Sequence, residues 1–181
     1  IGNDPSVPRQ TQEVASGTLP NGKPVIVNAD GTVSVVGQTT ASAGSLTALN
    51  SASTTSSPVA VAFDSSNNKF VVAYADGSPN GVGKAQVGTV SGTSISFGSA
   101  ATFEANEAKQ IALAFDSTNN KIVIAFKDGN NSSYGTAIVG TVSGTSISFG
   151  TQVVFNSGNT TQIVGVHDTN AGKTVIAYRD D

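Results

Sequence analysis

The apolar residues of this chain occur in short runs, separated by turns rich in Asp, Asn, Gly and Ser. Val59–Phe63 and Ile111–Phe115 are two such runs, and Ser94–Phe97 alternates polar and apolar residues strictly. No segment has a helical period or a capped helix start, whereas β-branched runs bounded by turn residues are typical of strands. The pattern therefore predicts an all-β protein.

A stretch of twelve residues occurs twice without a change, at Val87–Gly98 and at Val139–Gly150, an offset of 52 residues (139 minus 87). The same offset carries Asp64 onto Asp116, and Asp116 onto Asp168. A fixed register over three copies indicates one structural unit repeated in tandem.

Each unit is expected to contain four antiparallel strands, the first apolar and the last alternating. This grading is typical of a propeller blade, although a flat array of meanders or a β-sandwich has the same number of strands. Two full units and half of a third make an incomplete ring. The stop within the third copy favours a longer parent chain, with completion between chains as the alternative.

The remaining sequence precedes the repeats. Asp30-Gly31, flanked by β-branched residues, is a strong hairpin signal. The predicted segments are an extended N-terminal arm (1–16), a β-hairpin anchoring and oligomerisation segment with its linker (17–50), repeat unit 1 (51–106), repeat unit 2 (107–159) and the truncated start of repeat unit 3 (160–181).

Composition excludes several functions. Charged residues make up 12% of the chain and the net charge is −3, so no basic patch is present to neutralise phosphates, and nucleic acid is not an expected partner. No Cys is present for a disulfide or a thiolate metal site. No apolar run reaches the ~20 residues of a membrane span.

Catalytic residues are not evident. His167 is the only histidine, and the register places it on Phe63 and Phe115, so we expect a substituted core or rim position. The acids that recur in every unit are expected to form turns, because Asp bonds the local backbone: Asp64, Asp116, Asp168, Asp76, Asp128 and Asp180. The loops carry oxygen atoms of the kind that bind calcium, but they lack EF-hand spacing, so we expect no bound metal. We also expect no cofactor and no enzymatic activity.

The loop that follows the second strand of each unit varies between copies while the flanking strands stay constant. Asn, Ser and Tyr side chains hydrogen-bond and stack on polar surfaces, so these loops are candidate glycan or receptor contacts, with a merely solvated loop as the alternative. The candidate residues are Asp76, Asn80, Asp128, Asn130, Asn131, Ser132 and Tyr134.

The repeat frame, Phe115–Asn130 followed by Tyr134–Gly150, resembles repeat proteins of marine bacteriophages, in particular those of cyanophages. The resemblance covers residues 58–181. It implies a virion structural protein, a tail or head fibre or decoration component that displays propeller-like repeats for host recognition.

The first hypothesis is accordingly a non-enzymatic component of the extracellular virion, with other virion proteins, copies of itself and host-surface glycans as partners. The second is a lectin-like repeat protein of a bacterial surface. The third is a fragment of a propeller-type glycan hydrolase, for which Glu104 and Glu107 are non-repeated acids within the repeats.

Overall fold

The computed structural model describes residues 14–15, 25–35, 58–77 and 81–181. Within these ranges the backbone forms strands and turns, with no helix, so the predicted all-β class is confirmed. The chain divides into two compact units, Ile1–Ser42 and Ala43–Asp181, and each is described by itself.

The first unit contains a small three-stranded sheet made of β1 (Val14–Ala15), β2 (Val25–Val27) and β3 (Thr32–Val35). β2 and β3 are antiparallel, and β1 pairs with β3 in parallel. The Asp30 carboxylate accepts the backbone N–H of Thr32 at 2.9 Å and its hydroxyl at 2.7 Å, which fixes the turn. The predicted hairpin is confirmed, while the predicted arm lies outside the described residues apart from β1.

The second unit contains three successive antiparallel sheets. The first sheet comprises β4 (Val59–Asp64), β5 (Lys69–Asp76), β6 (Val82–Ser91), β7 (Ser94–Phe97) and β8 (Ala101–Glu104). The second comprises β9 (Ala108–Asp116), β10 (Lys121–Asp128), β11 (Tyr134–Ser143), β12 (Ser146–Phe149) and β13 (Val153–Asn156). The third comprises β14 (Thr160–Asp168) and β15 (Lys173–Asp180).

The fourth position of each full sheet is occupied by two short strands rather than by the one predicted. β6 is long enough to pair with β7 along its C-terminal half and with β8 along its N-terminal half. β11 pairs in the same way with β12 and β13. The sheets are therefore tandem and antiparallel as predicted, but the outer edge is a broken strand, and no closed barrel forms among the described residues.

The identical twelve-residue stretch forms the β6–β7 and β11–β12 hairpins, and the backbone geometry requires two of its glycines. Gly92 has a φ of +59°, which most side chains disfavour. A Cβ on Gly88 would lie 2.8 Å from the ring of Phe97, so only glycine lets the ring pack on the strand. The second copy repeats this geometry at Gly140, Gly144 and Phe149.

The sheets stack through apolar faces. Val71, Ala73 and Val87 of the first sheet belong to one buried cluster with residues of the second sheet, namely Ile122, Ile124 and Phe126. A smaller cluster joins the second and third sheets through Ala112, Ala125, Ile163, Phe155 and Ile176. β9 contacts both β4 and β14, so the first strands of the three sheets lie side by side.

Candidate functional site

Strand pairing gathers the candidate loop at one end of the sheets. Asp128 at the end of β10 pairs with Tyr134 at the start of β11 and with Ala108 at the start of β9. The turn 129–133 and the connection 105–107 between β8 and β9 consequently lie beside each other. We call this end of the sheets the loop edge.

The opposite end carries the Asp64, Asp116 and Asp168 hairpins. The Asp116 carboxylate accepts the backbone N–H groups of Thr118 and Asn119 at 3.0 Å each and the Asn119 side-chain amide at 2.9 Å. The Asn119 amide, with these N–H groups, lowers the pKa of Asp116. Asp64 and Asp168 accept equivalent backbone N–H groups, so the predicted turn role of these three residues is confirmed.

The loop edge brings most of the predicted contact residues together. The Asp128 carboxylate accepts the backbone N–H groups of Asn130 and Asn131 at 3.0 Å each, and the Tyr134 N–H donates to the Asn131 carbonyl. Ser132 is exposed, with a φ of +52°. Asp128 is thus buried and stabilises the loop by hydrogen bonds, whereas Asn130, Asn131 and Ser132 are exposed.

Two predicted residues belong to the equivalent loop of the first sheet. Asp76 is half-buried and forms an ion pair with Lys84. Asn80 lies outside the described residues.

A cavity of about 220 Å³ opens at the loop edge. Its lining residues are Ala105, Asn106, Glu107, Gly129 and Asn130. The Gly129 N–H donates to the Glu107 carbonyl at 2.8 Å, which ties the two loops together, and the Glu107 carboxylate forms an ion pair with Lys109 at 2.8 Å. A Cβ on Gly129 would meet the Glu107 carboxylate, so this glycine permits the close approach.

Of the predicted contact residues, only Asn130 lines this cavity. Sequence reasoning missed Asn106 and Gly129 and treated Glu107 only as a possible enzyme residue. The available signal was the repeat register, since Glu107 and Gly129 are replaced by Asn159 and Asp181 in the third copy.

Two buried carboxylates support the loops beneath the cavity. Glu104 accepts the Asn106 N–H at 2.8 Å and the Gln152 side-chain amide at 2.9 Å. Burial raises the pKa of Asp128, and the negative charge of Glu104 raises it further. One repeat later, Asn156 of the second sheet stands in place of Glu104, and its amide donates to Asp180 of the third sheet at 2.9 Å, so a hydrogen bond replaces the repulsion.

His167 lies at the other end, as the register implied. Its side chain is 4% exposed, with the two ring nitrogens each 3.3 Å from a threonine hydroxyl, Thr118 and Thr174. Nε2 is also 3.6 Å from the Asp116 carboxylate, a neighbour that the sequence did not reveal. The prediction of a substituted core or rim position is confirmed.

His167 also borders a cavity of about 430 Å³ between the first strands of the sheets. Its lining is mainly apolar and includes Phe63, Leu113, Phe115 and Val166.

No group of three or more His, Cys, Asp or Glu side chains within the described ranges is arranged to hold a metal ion. In the same residues, no helix has the length and apolarity needed to cross a membrane. Comparison with known proteins gave no match, whether with protein families, curated proteins or solved structures. The resemblance to phage repeat proteins consequently remains a hypothesis.

Proposed function

We propose that this chain is a non-enzymatic structural component of a phage particle, whose stacked β-repeats display the loop edge to host-surface glycans. One observation carries the proposal. A constant sheet scaffold supports a polar cavity lined by Glu107, Asn106 and Asn130, which carry one carboxylate and two side-chain amides. A carboxylate accepts hydrogen bonds from sugar hydroxyls, and a side-chain amide both donates and accepts them.

The proposed architecture is propeller-like. The first strands β4, β9 and β14 lie side by side, and the strand order within each full sheet runs outward from them. A propeller places the first strand of each blade around a central channel, and this arrangement supports that assignment. The loop edges of successive sheets would then share one face of the ring.

The conformation of the candidate loop also supports a binding role. Ser132 and Ser133 have φ values of +52° and +64°, a region that costs a non-glycine residue ~1–2 kcal/mol. Strain of this kind tends to concentrate at functional sites.

The size of the cavity favours a small ligand. Sites for drug-sized ligands have volumes of roughly 300–1,000 Å³, and this cavity of about 220 Å³ is smaller. A single sugar unit is a better match than a long oligosaccharide. Binding by one site would be weak, and a particle that carries many copies would gain strength by avidity.

The test is a glycan array probed with the purified chain and with three variants. Asn130→Ala and Glu107→Gln remove side-chain groups that line the cavity and should each reduce binding at least tenfold. Asn170→Ala is the matched control, because Asn130 and Asn170 both follow a turn Asp by two residues and donate their backbone N–H to it. Equal binding by all four proteins would contradict the glycan site.

The virion assignment has its own test. Mass spectrometry of purified phage particles should detect peptides of this chain, and their absence from particles would favour the lectin-like alternative.

The hydrolase alternative predicts that the chain releases soluble sugar from a glycan it binds. Glycosidases generally use a pair of carboxylates, whereas Glu107 is the only carboxylate among the described cavity residues.

A further inference from the structure

An apolar face of the third sheet is exposed. Val164 pairs with Ala177 and Val166 with Val175, which places the four side chains on one side of the sheet. Val164 and Val166 are each 61% exposed, and Val175 and Ala177 are also exposed. Val164 and Val166 lie on β14, and Val175 and Ala177 lie on β15; we call these four residues together the β15 face. Contiguous apolar exposure of this kind usually marks an interaction surface.

The repeat register shows what covers such a face elsewhere in the molecule. Ala112 and Ala125 occupy the same positions in the second sheet, 52 residues before Val164 and Ala177. Both are buried, and they pack against Ile163 and Ile176 of the third sheet. A face in this position is therefore built to receive the first strand of another repeat.

The same chain exposes the complementary surface on β4. Val59 and Val61 are 59% and 61% exposed, and Phe63 beside them is also exposed. We call these three residues the β4 face. Val59 is the counterpart of Ile163, the residue that covers Ala112 and Ala125.

We propose that these two faces bind each other between copies of this chain, so that the β4 face of one copy packs on the β15 face of the next. Val59 of one copy would contact Val164 and Ala177 of its neighbour, as Ile163 contacts Ala112 and Ala125 within the chain. The occupant is a second copy, because the new contact continues the interface already formed between successive sheets.

The contact is made mainly by β4. Val72 and Tyr74 pair with Val61 and Val59 and so lie on the same side, but both are already buried. The first sheet would therefore use only its first strand in this contact. The internal interface has the same form, because β14, the first strand of the third sheet, makes most of that sheet's contact with β9.

Two different faces make a heterologous, head-to-tail interface. Such an interface leaves one free face at each end of any open assembly, so copies add until a ring closes or a filament grows. The proposal goes beyond glycan binding, and it holds or fails independently of the ligand at the loop edge.

The experiment is sedimentation velocity on the 181-residue chain over a hundredfold range of concentration. We expect species larger than the 18.1 kDa monomer that increase with concentration. Val166→Asp on the β15 face and Val61→Asp on the β4 face should each shift the protein to monomer. Val90→Asp is the matched control, because Val90 is similarly exposed on β6 but belongs to neither face.

Mixing the two variants separates head-to-tail binding from other arrangements. The Val61→Asp chain retains a functional β15 face and the Val166→Asp chain a functional β4 face, so an equimolar mixture should form a dimer and nothing larger. Circular dichroism checks that each variant is folded, and Val164→Asp replaces Val166→Asp if the latter is not.

Three results would overturn the proposal. They are a wild-type chain that stays monomeric throughout, a Val90→Asp variant that dissociates as Val166→Asp does, and a mixture of the two face variants that remains monomeric. A monomeric wild-type chain would mean that something other than a second copy covers these faces.

Discussion

The repeat register allows one substitution to be compared at two levels of burial. Phe126 and Tyr178 occupy equivalent positions in the second and third sheets. Phe126 is fully buried between two sheets, with its ring 5.2 Å from that of Phe103 in an edge-to-face arrangement. Tyr178 is 42% exposed and contacts Phe155 at 5.1 Å.

Replacing each aromatic residue by alanine should give clearly different losses of stability. A buried Phe→Ala change costs ~3–5 kcal/mol, because transfer energy is lost and a cavity is left behind. We expect about 4 kcal/mol for Phe126→Ala, since its site is closed on both sides. Tyr178→Ala should cost about 1.5 kcal/mol, because part of the ring is already in water and solvent fills the space left.

Urea denaturation followed by far-UV circular dichroism measures both losses. Tyrosine fluorescence is unsuitable, because one variant removes a tyrosine, and the chain has no Trp. Both variants are best made in a Val166→Asp background, so that self-association does not contribute to stability. Losses within about 1 kcal/mol of each other would refute the reasoning, because they would mean that Phe126 is not enclosed between two sheets as described.

Three further predictions address single features of the fold. Gly144→Ala should lower the free energy of unfolding by about 1 kcal/mol, because the glycine has a φ of +60°, and Gly144→Asn should lower it less. Burial and the Glu104 charge raise the pKa of Asp128, so the folded state binds this proton more tightly than the unfolded chain does. The stability that Asp128 contributes therefore falls as pH rises from its ordinary pKa through the raised one, and Asp128→Asn should remove this slope in pH-dependent urea titrations. His167 contributes to the lowered pKa of Asp116, so His167→Phe should move the Asp116 pKa back toward its ordinary value in a carboxyl NMR titration, and no movement would contradict the contact.

Local signals in the sequence predicted much of the fold. Turn residues such as Asp30-Gly31 and the Asp116 loop act on their own backbone within a few residues, so their effect is readable without tertiary structure. Because the copies are 52 residues apart, a feature predicted in one copy can be predicted at the equivalent residues of the others. The position of His167 was predicted in this way, since the equivalent residues are aromatic.

Other features depend on contacts that the sequence does not display. The division of the outer edge into β7 and β8 depends on the length of β6, which pairs with both. Gln110 and Gln162 adopt a positive φ where β9 and β14 shift register. Glutamine has no particular preference for this conformation, so the sequence does not predict it. The cavity at the loop edge joins Glu107 to Gly129, two residues on separate loops.

The loop-edge cavity also bears on assembly. In the third copy of the repeat, Asn159 and Asp181 replace Glu107 and Gly129, and the Lys127 ammonium donates to the Asn159 side chain at 2.6 Å. The glutamate and the glycine that line the cavity of the second sheet are therefore not repeated in the third copy. If one such cavity binds a sugar weakly, several cavities held together would bind a glycan surface more strongly through avidity. A head-to-tail assembly through the β4 and β15 faces would place successive cavities at a regular spacing, so the two proposals, tested separately, describe compatible uses of one repeated scaffold.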